Sequence, residues 1–220
     1  MIARTLGVAA ALALGFASAA QAAVVYDNGP VEDGGLEVTE NQVAQDFTLG
    51  AATRLTGAAV FLGGQVAANW DGGFQYAIYS LANNAPDAVL ASGDVAITPV
   101  DTGLVGANGQ DIFRFQFNFL TPFDAEAGRT YFLGIHARHD FRDNNGIFWV
   151  GTEPNGTVPS QFQPNGSGPF ITVNGENAFF LTAADAAGGV PEPQTWALML
   201  LGCGLAGTAL RRRQGALRLS

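Results

Sequence analysis

The chain contains no lysine, one cysteine, two histidines and two methionines in 220 residues. Its single Cys203 lies in an apolar segment near the C-terminus, so between the ends there is no disulfide, no thiolate nucleophile and no Cys-ligated metal. All 10 basic residues are Arg, against 19 acids, and the formal charge of −9 lacks the basic footprint that nucleic-acid binding requires. Charged residues are only 13% while apolar residues are 48%, which excludes a disordered chain and a coiled coil. Turn formers are what the sequence has in abundance. Its 29 Gly and 10 Pro point to short strands rather than long helices. The length suffices for one domain with a sizeable core.

Residues 1–22 read as a secretory signal peptide. Arg4 and the amino terminus are positive, and Leu6 to Phe16 form an apolar stretch of 11 residues, too short to span a bilayer that needs roughly 20. Ala20-Gln21-Ala22 supplies the small-residue site that signal peptidase accepts, which places cleavage after Ala22 and a new terminus at Ala23. The alternative is a buried N-terminal helix, which would need burial on all sides.

The other end, residues 188–220, begins with the short linker Gly188-Gly189. Pro191-Glu192-Pro193-Gln194-Thr195-Trp196-Ala197 precedes an apolar run to Leu210 and then Arg211-Arg212-Arg213. Trp196 to Leu210 is 15 residues, about 22 Å as a helix at the usual rise. Tilt and local thinning can fit that length to a membrane, with Trp196 at one interface and the arginines on the cytoplasmic side. This order of parts resembles the PEP-CTERM sorting signal in its PEPxxWA variant. The resemblance covers Val190 to Arg213. It implies that an exosortase, a multi-spanning membrane enzyme, is the sorting partner. It also implies that Pro191, Glu192, Pro193, Trp196 and Ala197 are recognised and that Arg211, Arg212 and Arg213 form the stop. Gln214 to Ser220 extend beyond the Arg cluster, where that pattern usually ends sooner. A plain C-terminal membrane anchor is the alternative.

Between the ends, residues 23–187 read as one extracellular all-β domain. Residues 23–189 hold 18 acids and five Arg, about −13 in all. Six Asn-Gly pairs and Asp-Gly at 33 and 71 mark turns, because Gly and Asn accept the positive φ of tight hairpins. The apolar period between them is two. In Ile112 to Phe119, Phe113, Phe115, Phe117 and Phe119 share one face, and Arg114, Gln116 and Asn118 the other. Further strands are expected at Val43–Leu49, Leu55–Leu62, Phe74–Leu81, Val89–Ile97, Thr130–Arg138, Ile147–Thr152, Phe170–Val173 and Ala178–Thr182. About nine or ten short strands without an amphipathic helix fit a two-sheet antiparallel sandwich of jelly-roll type. The strand phrases Gln45–Leu49, Phe74–Tyr79 and Tyr131–Ile135 also resemble exported sandwich domains found beside PEP-CTERM tails.

No catalytic constellation is recognisable, and neither a metal nor a cofactor is expected. His136 and His139, three apart, face opposite sides of a regular strand and cannot share a metal there. There is no G-x-S-x-G elbow for a Ser-His-Asp hydrolase. The acids of Asp27 to Glu40 lack EF-hand spacing and read as a solvated loop. Pro154-Asn155-Gly156 and Pro164-Asn165-Gly166 read as two successive turns. Trp149 is expected in the core or on a sheet face. Trp70, in Asn69-Trp70-Asp71-Gly72, stands where no strand pattern buries it. An indole beside Asn69 and Asp71 has the composition of a carbohydrate platform, with a stacking face and groups for sugar hydroxyls. The alternative is a ring that folds back to cap the sandwich. The sequence therefore leads to an exported, membrane-anchored precursor in a Gram-negative envelope, sorted to the cell surface or matrix. It is expected to be non-enzymatic, with an exopolysaccharide as the candidate partner. A glycan-active hydrolase and a purely structural matrix filler are the other readings.

Overall fold

The computed structural model describes residues 22–184 apart from 33, 107–108, 139, 142 and 155–157. Ala20, the sorting motif, the C-terminal apolar segment, His139 and the Asn155 turn lie outside the described residues. The strands are β1 (Ala23–Asp27), β2 (Gly35–Glu37), β3 (Asn41–Thr48), β4 (Thr53–Gly64), β5 (Gln75–Ala82), β6 (Ala85–Asp94) and β7 (Val100–Val105). They continue with β8 (Asp111–Ala125), β9 (Thr130–His136), β10 (Ile147–Thr152), β11 (Gln161–Pro164), β12 (Ile171–Thr172), β13 (Glu176–Asn177) and β14 (Phe179–Ala183). One four-residue helix, α1 (Val66–Asn69), links β4 to β5. Among the described residues no helix is long and apolar enough to cross a membrane.

The strands form two antiparallel sheets, so the domain is nearly all β. In the eight-stranded sheet β4 is the hub. It pairs with β8 on one edge and with β14 and β10 on the other. β1 lies outside β14, β7 outside β8, and β2 and β13 on β10. The six-stranded sheet runs β12-β11-β3-β9-β5-β6. Several of these boundaries are longer or shorter than the period alone suggests. β6 starts at Ala85 because Asn83 and Asn84, with φ of 52° and 58°, close a two-residue hairpin without any glycine. β7 escapes the alternating pattern because Gly103, at φ 71°, carries a register shift between Asp101 and Leu104.

The core lies between the sheets. Phe115, Phe117 and Phe119 of β8 face Phe74 and Tyr76 of the other sheet, with ring centroids 5.0–5.9 Å apart in an interleaved aromatic ladder. Phe113 packs at its margin, half-buried. Trp149 of β10 is fully buried and its indole N–H donates to the Ala178 carbonyl at 2.8 Å. β3 and β9 are buried on both faces. Their outer residues Ala44 and Phe132 form a second small cluster with Ala77 and Tyr79, covered by Val158 and Phe170. The segment after β10 thus folds back over the six-stranded sheet.

Candidate functional site

The Trp70 loop follows α1, and its polar groups are used to hold it in place. The Asn69 amide donates to the Asn145 carbonyl at 2.7 Å, which ties the end of α1 to the turn before β10. Asp71 accepts from the Gly73 backbone N–H at 2.8 Å and pairs with Arg138 at 3.5 Å. The Trp70 ring is half-buried. It stands edge-on to Phe115 at 4.9 Å and tilts against Phe74 at 6.4 Å. The three residues therefore stay together at one end of the sandwich, with the indole packed against the core. Trp70→Ala is expected to cost about 2 kcal/mol, roughly half the figure for a fully buried Trp. The melting temperature should fall by roughly 4–8 °C; an unchanged melting curve would mean that the ring stabilises nothing.

Within the acidic loop Glu37 is an exception to the expected solvation. It is 8% exposed, and its carboxylate accepts from the Thr39 and Glu40 backbone N–H groups at 2.8 Å each. It also accepts from the Thr39 hydroxyl and the Asn41 amide. Glu37 thus organises the turn that leads into β3. The reason is geometric: a carboxylate two or three residues upstream can satisfy backbone donors that the turn leaves without partners. Among the described residues no three His, Cys, Asp or Glu side chains come together as a metal site.

His136, the last residue of β9, is fully buried. Its Nε2–H donates to the Thr39 carbonyl at 2.8 Å, and its ring stacks on Phe141 at 3.6 Å. Nδ1 is buried without a hydrogen bond among the described residues. Burial pushes its pKa below the ordinary value, against the opposing pull of the Thr39 carbonyl and the Glu37 carboxylate. In the unfolded chain His136 gains a proton as pH falls through about 6.5, whereas the folded chain resists to lower pH. Stability should therefore fall as pH drops from about 6.5 toward the folded pKa and be unaffected by this group above that range. A lower urea midpoint at pH 5.5 than at pH 7.5, flattened in His136→Gln, is the expected result. An equal drop in His136→Gln would assign the effect elsewhere.

A third cluster gave no signal in the sequence. Gln45, fully buried on the inner face of β3, donates through Nε2 to Asp46 at 2.9 Å and Glu176 at 2.5 Å. Its Oε1 accepts from the Ser160 hydroxyl at 2.6 Å and the Asn177 backbone N–H at 3.1 Å. Asn28 adds a bond to Glu176 at 3.3 Å. The network joins β3 of one sheet to β13 of the other.

An antiparallel two-sheet domain followed by a separate C-terminal signal is the class that these observations define. Residues 189–213 match the PEP-CTERM protein-sorting motif. The chain is thus marked for export as a membrane-anchored precursor, with an exosortase as the implied sorting partner. Pro191, Glu192, Pro193, Trp196, Ala197 and the arginines at 211–213 all fall inside the matched segment. No curated protein matches this chain.

Proposed function

We propose that the exported domain is a non-enzymatic β-sandwich of jelly-roll type that contacts glycan in an exopolysaccharide or biofilm matrix outside a Gram-negative cell. The observation that carries this reading is the sorting motif at 189–213 joined to a lysine-free domain near −13. Such a surface repels nucleic acid and anionic lipid, and leaves uncharged or cation-bridged polymers as partners. Individual sugar contacts are weak, and retention comes from many copies in one matrix.

The test is a glycan array probed with the protein, run beside a turnover assay on labelled polysaccharide. Binding without release of reducing ends supports the reading. Release of reducing ends would make the protein a hydrolase, and silence on the array would leave a structural filler.

A further inference from the structure

The outer face of the six-stranded sheet carries a row of polar side chains running across the strands. Gln163 of β11 pairs with Gln42 of β3. One step along from the Val43–Ile135 pair, Gln42 lies beside His136 of β9. His136 pairs with Gln75 of β5, and Gln75 with Asp94 of β6. Cross-strand partners share a face, so these five residues form one rung about 19 Å long at the usual strand spacing.

A groove of about 350 Å3 follows this rung, within the roughly 300–1,000 Å3 typical of ligand sites. Phe141 forms its apolar wall and is pinned in place. One face stacks on His136, and a Cβ on Gly166 would come within 2.6 Å of the ring. Gly166 is thus the residue that lets the Pro164-Asn165-Gly166 turn, with φ of 51° and 58° at its last two positions, close onto the aromatic ring. Gly134 plays the matching part in the floor, where a Cβ would meet the Tyr79 ring at 2.7 Å and the Gln42 amide at 2.9 Å.

The amides point to what the groove takes. Gln42 is only 7% exposed, lines the groove, and makes no side-chain hydrogen bond among the described residues. Gln75 lines the groove and likewise makes none. A nearly buried amide keeps such unused capacity at a cost unless something from solvent meets it. Each amide offers a carbonyl acceptor and two N–H donors in one plane, a match for neighbouring sugar hydroxyls, which both donate and accept. Asp94 adds an acceptor at one end, and among the described residues no Arg lines the groove to attract a carboxylate or sulfate.

We infer that this rung binds a linear, uncharged polysaccharide lying across the strands. Hydroxyls meet Gln42 and Gln75, and sugar C–H groups meet the edge of the Phe141 ring left open between His136 and Gly166. This rests on the glycan-binding reading above and deepens it by moving the contact from the Trp70 loop to the outer face of the six-stranded sheet.

The test uses the full chain in mild detergent against neutral, uronic and sulfated oligosaccharides of about two to six sugars. Neutral chains should bind, with affinity rising at least tenfold from the shortest to the longest. Gln75→Leu and Gln42→Leu should each weaken binding at least tenfold; Gln75, the less buried of the two, should do so without a shift in melting temperature. Neutral binding that survives both substitutions but is lost in Trp70→Ala would overturn this site and leave the glycan reading standing. Binding of charged glycans alone would overturn the ligand class. Failure of the wild-type chain to bind any oligosaccharide would end both readings.

Discussion

Phe115→Ala should lower the stability of the domain by about 3–5 kcal/mol. The ring is fully buried at the midpoint of the aromatic ladder. It lies opposite Val60 in the register of β4 and β8. It meets Trp70 edge-on at 4.9 Å and Phe74 nearly parallel at 5.9 Å. Truncation removes the transfer term and also leaves a cavity, because two sheets held by backbone ladders cannot collapse onto it. Against the 5–15 kcal/mol typical of a domain, that loss removes much of the margin. The melting temperature should fall by roughly 6–20 °C. Phe148→Ala, on the half-exposed outer face of β10, should cost less than about 1 kcal/mol. A Phe115→Ala loss no larger than that of Phe148→Ala would show that the ladder is not the core.

The second large effect comes from a polar residue. Gln45→Leu keeps the volume and the burial but removes every hydrogen bond the amide makes. The Asn177 backbone N–H and the Asp46 and Glu176 carboxylates each lose a partner in a site where all of these residues are at most 5% exposed. Withdrawing a hydrogen-bond partner from a buried polar group costs about 1–3 kcal/mol per group. The expected loss is about 3–5 kcal/mol, read as a lower urea midpoint at unchanged slope. Gln45→Glu should be at least as damaging, since it replaces a donor between two carboxylates with a third acceptor. A Leu variant within about 1 kcal/mol of the wild type would mean that the two sheets are held together by apolar contact alone.

The fold was legible in the sequence wherever one face of a strand is buried and the other is not. β8 and β10 are of that kind, with Phe115 and Trp149 inward and Gln116 and Phe148 outward. Alternation failed for β3 and β9, because Val158 and Phe170, from positions far along the chain, and Phe141, from the loop just after β9, cover the outer face. Short strands such as β2 and β13 carry too few residues for any period to register. The Trp70 loop was legible as a turn, and a ring folded back onto the sandwich was one of its two readings. Nothing local to Asn69-Trp70-Asp71 decides between them or reports that Phe115 lies beneath the ring. The Gln163–Gln42–His136–Gln75–Asp94 rung was invisible for a related reason. Its members come from five strands, and only the register of the sheet brings them into line. Gln45 was hidden because alternation assigns its position, between Val43 and Phe47, to the core, and nothing in the sequence reports which distant groups its amide meets there. The sorting signal differed from all of these because its parts are consecutive.

The measurement closest to the central claim concerns that signal. Pro191 and Pro193 flank Glu192 in the sequence, and proline disfavours helix at and before its own position, so recognition of the triplet is expected to depend on all three residues. In cells that export the protein, the wild-type chain should be processed and leave the inner membrane. Glu192→Ala and Pro193→Ala should each accumulate as full-length, membrane-held precursor, followed by immunoblot of membrane and released fractions. Release of both variants in the wild-type amount and size would contradict the account and leave the C-terminal segment a plain anchor.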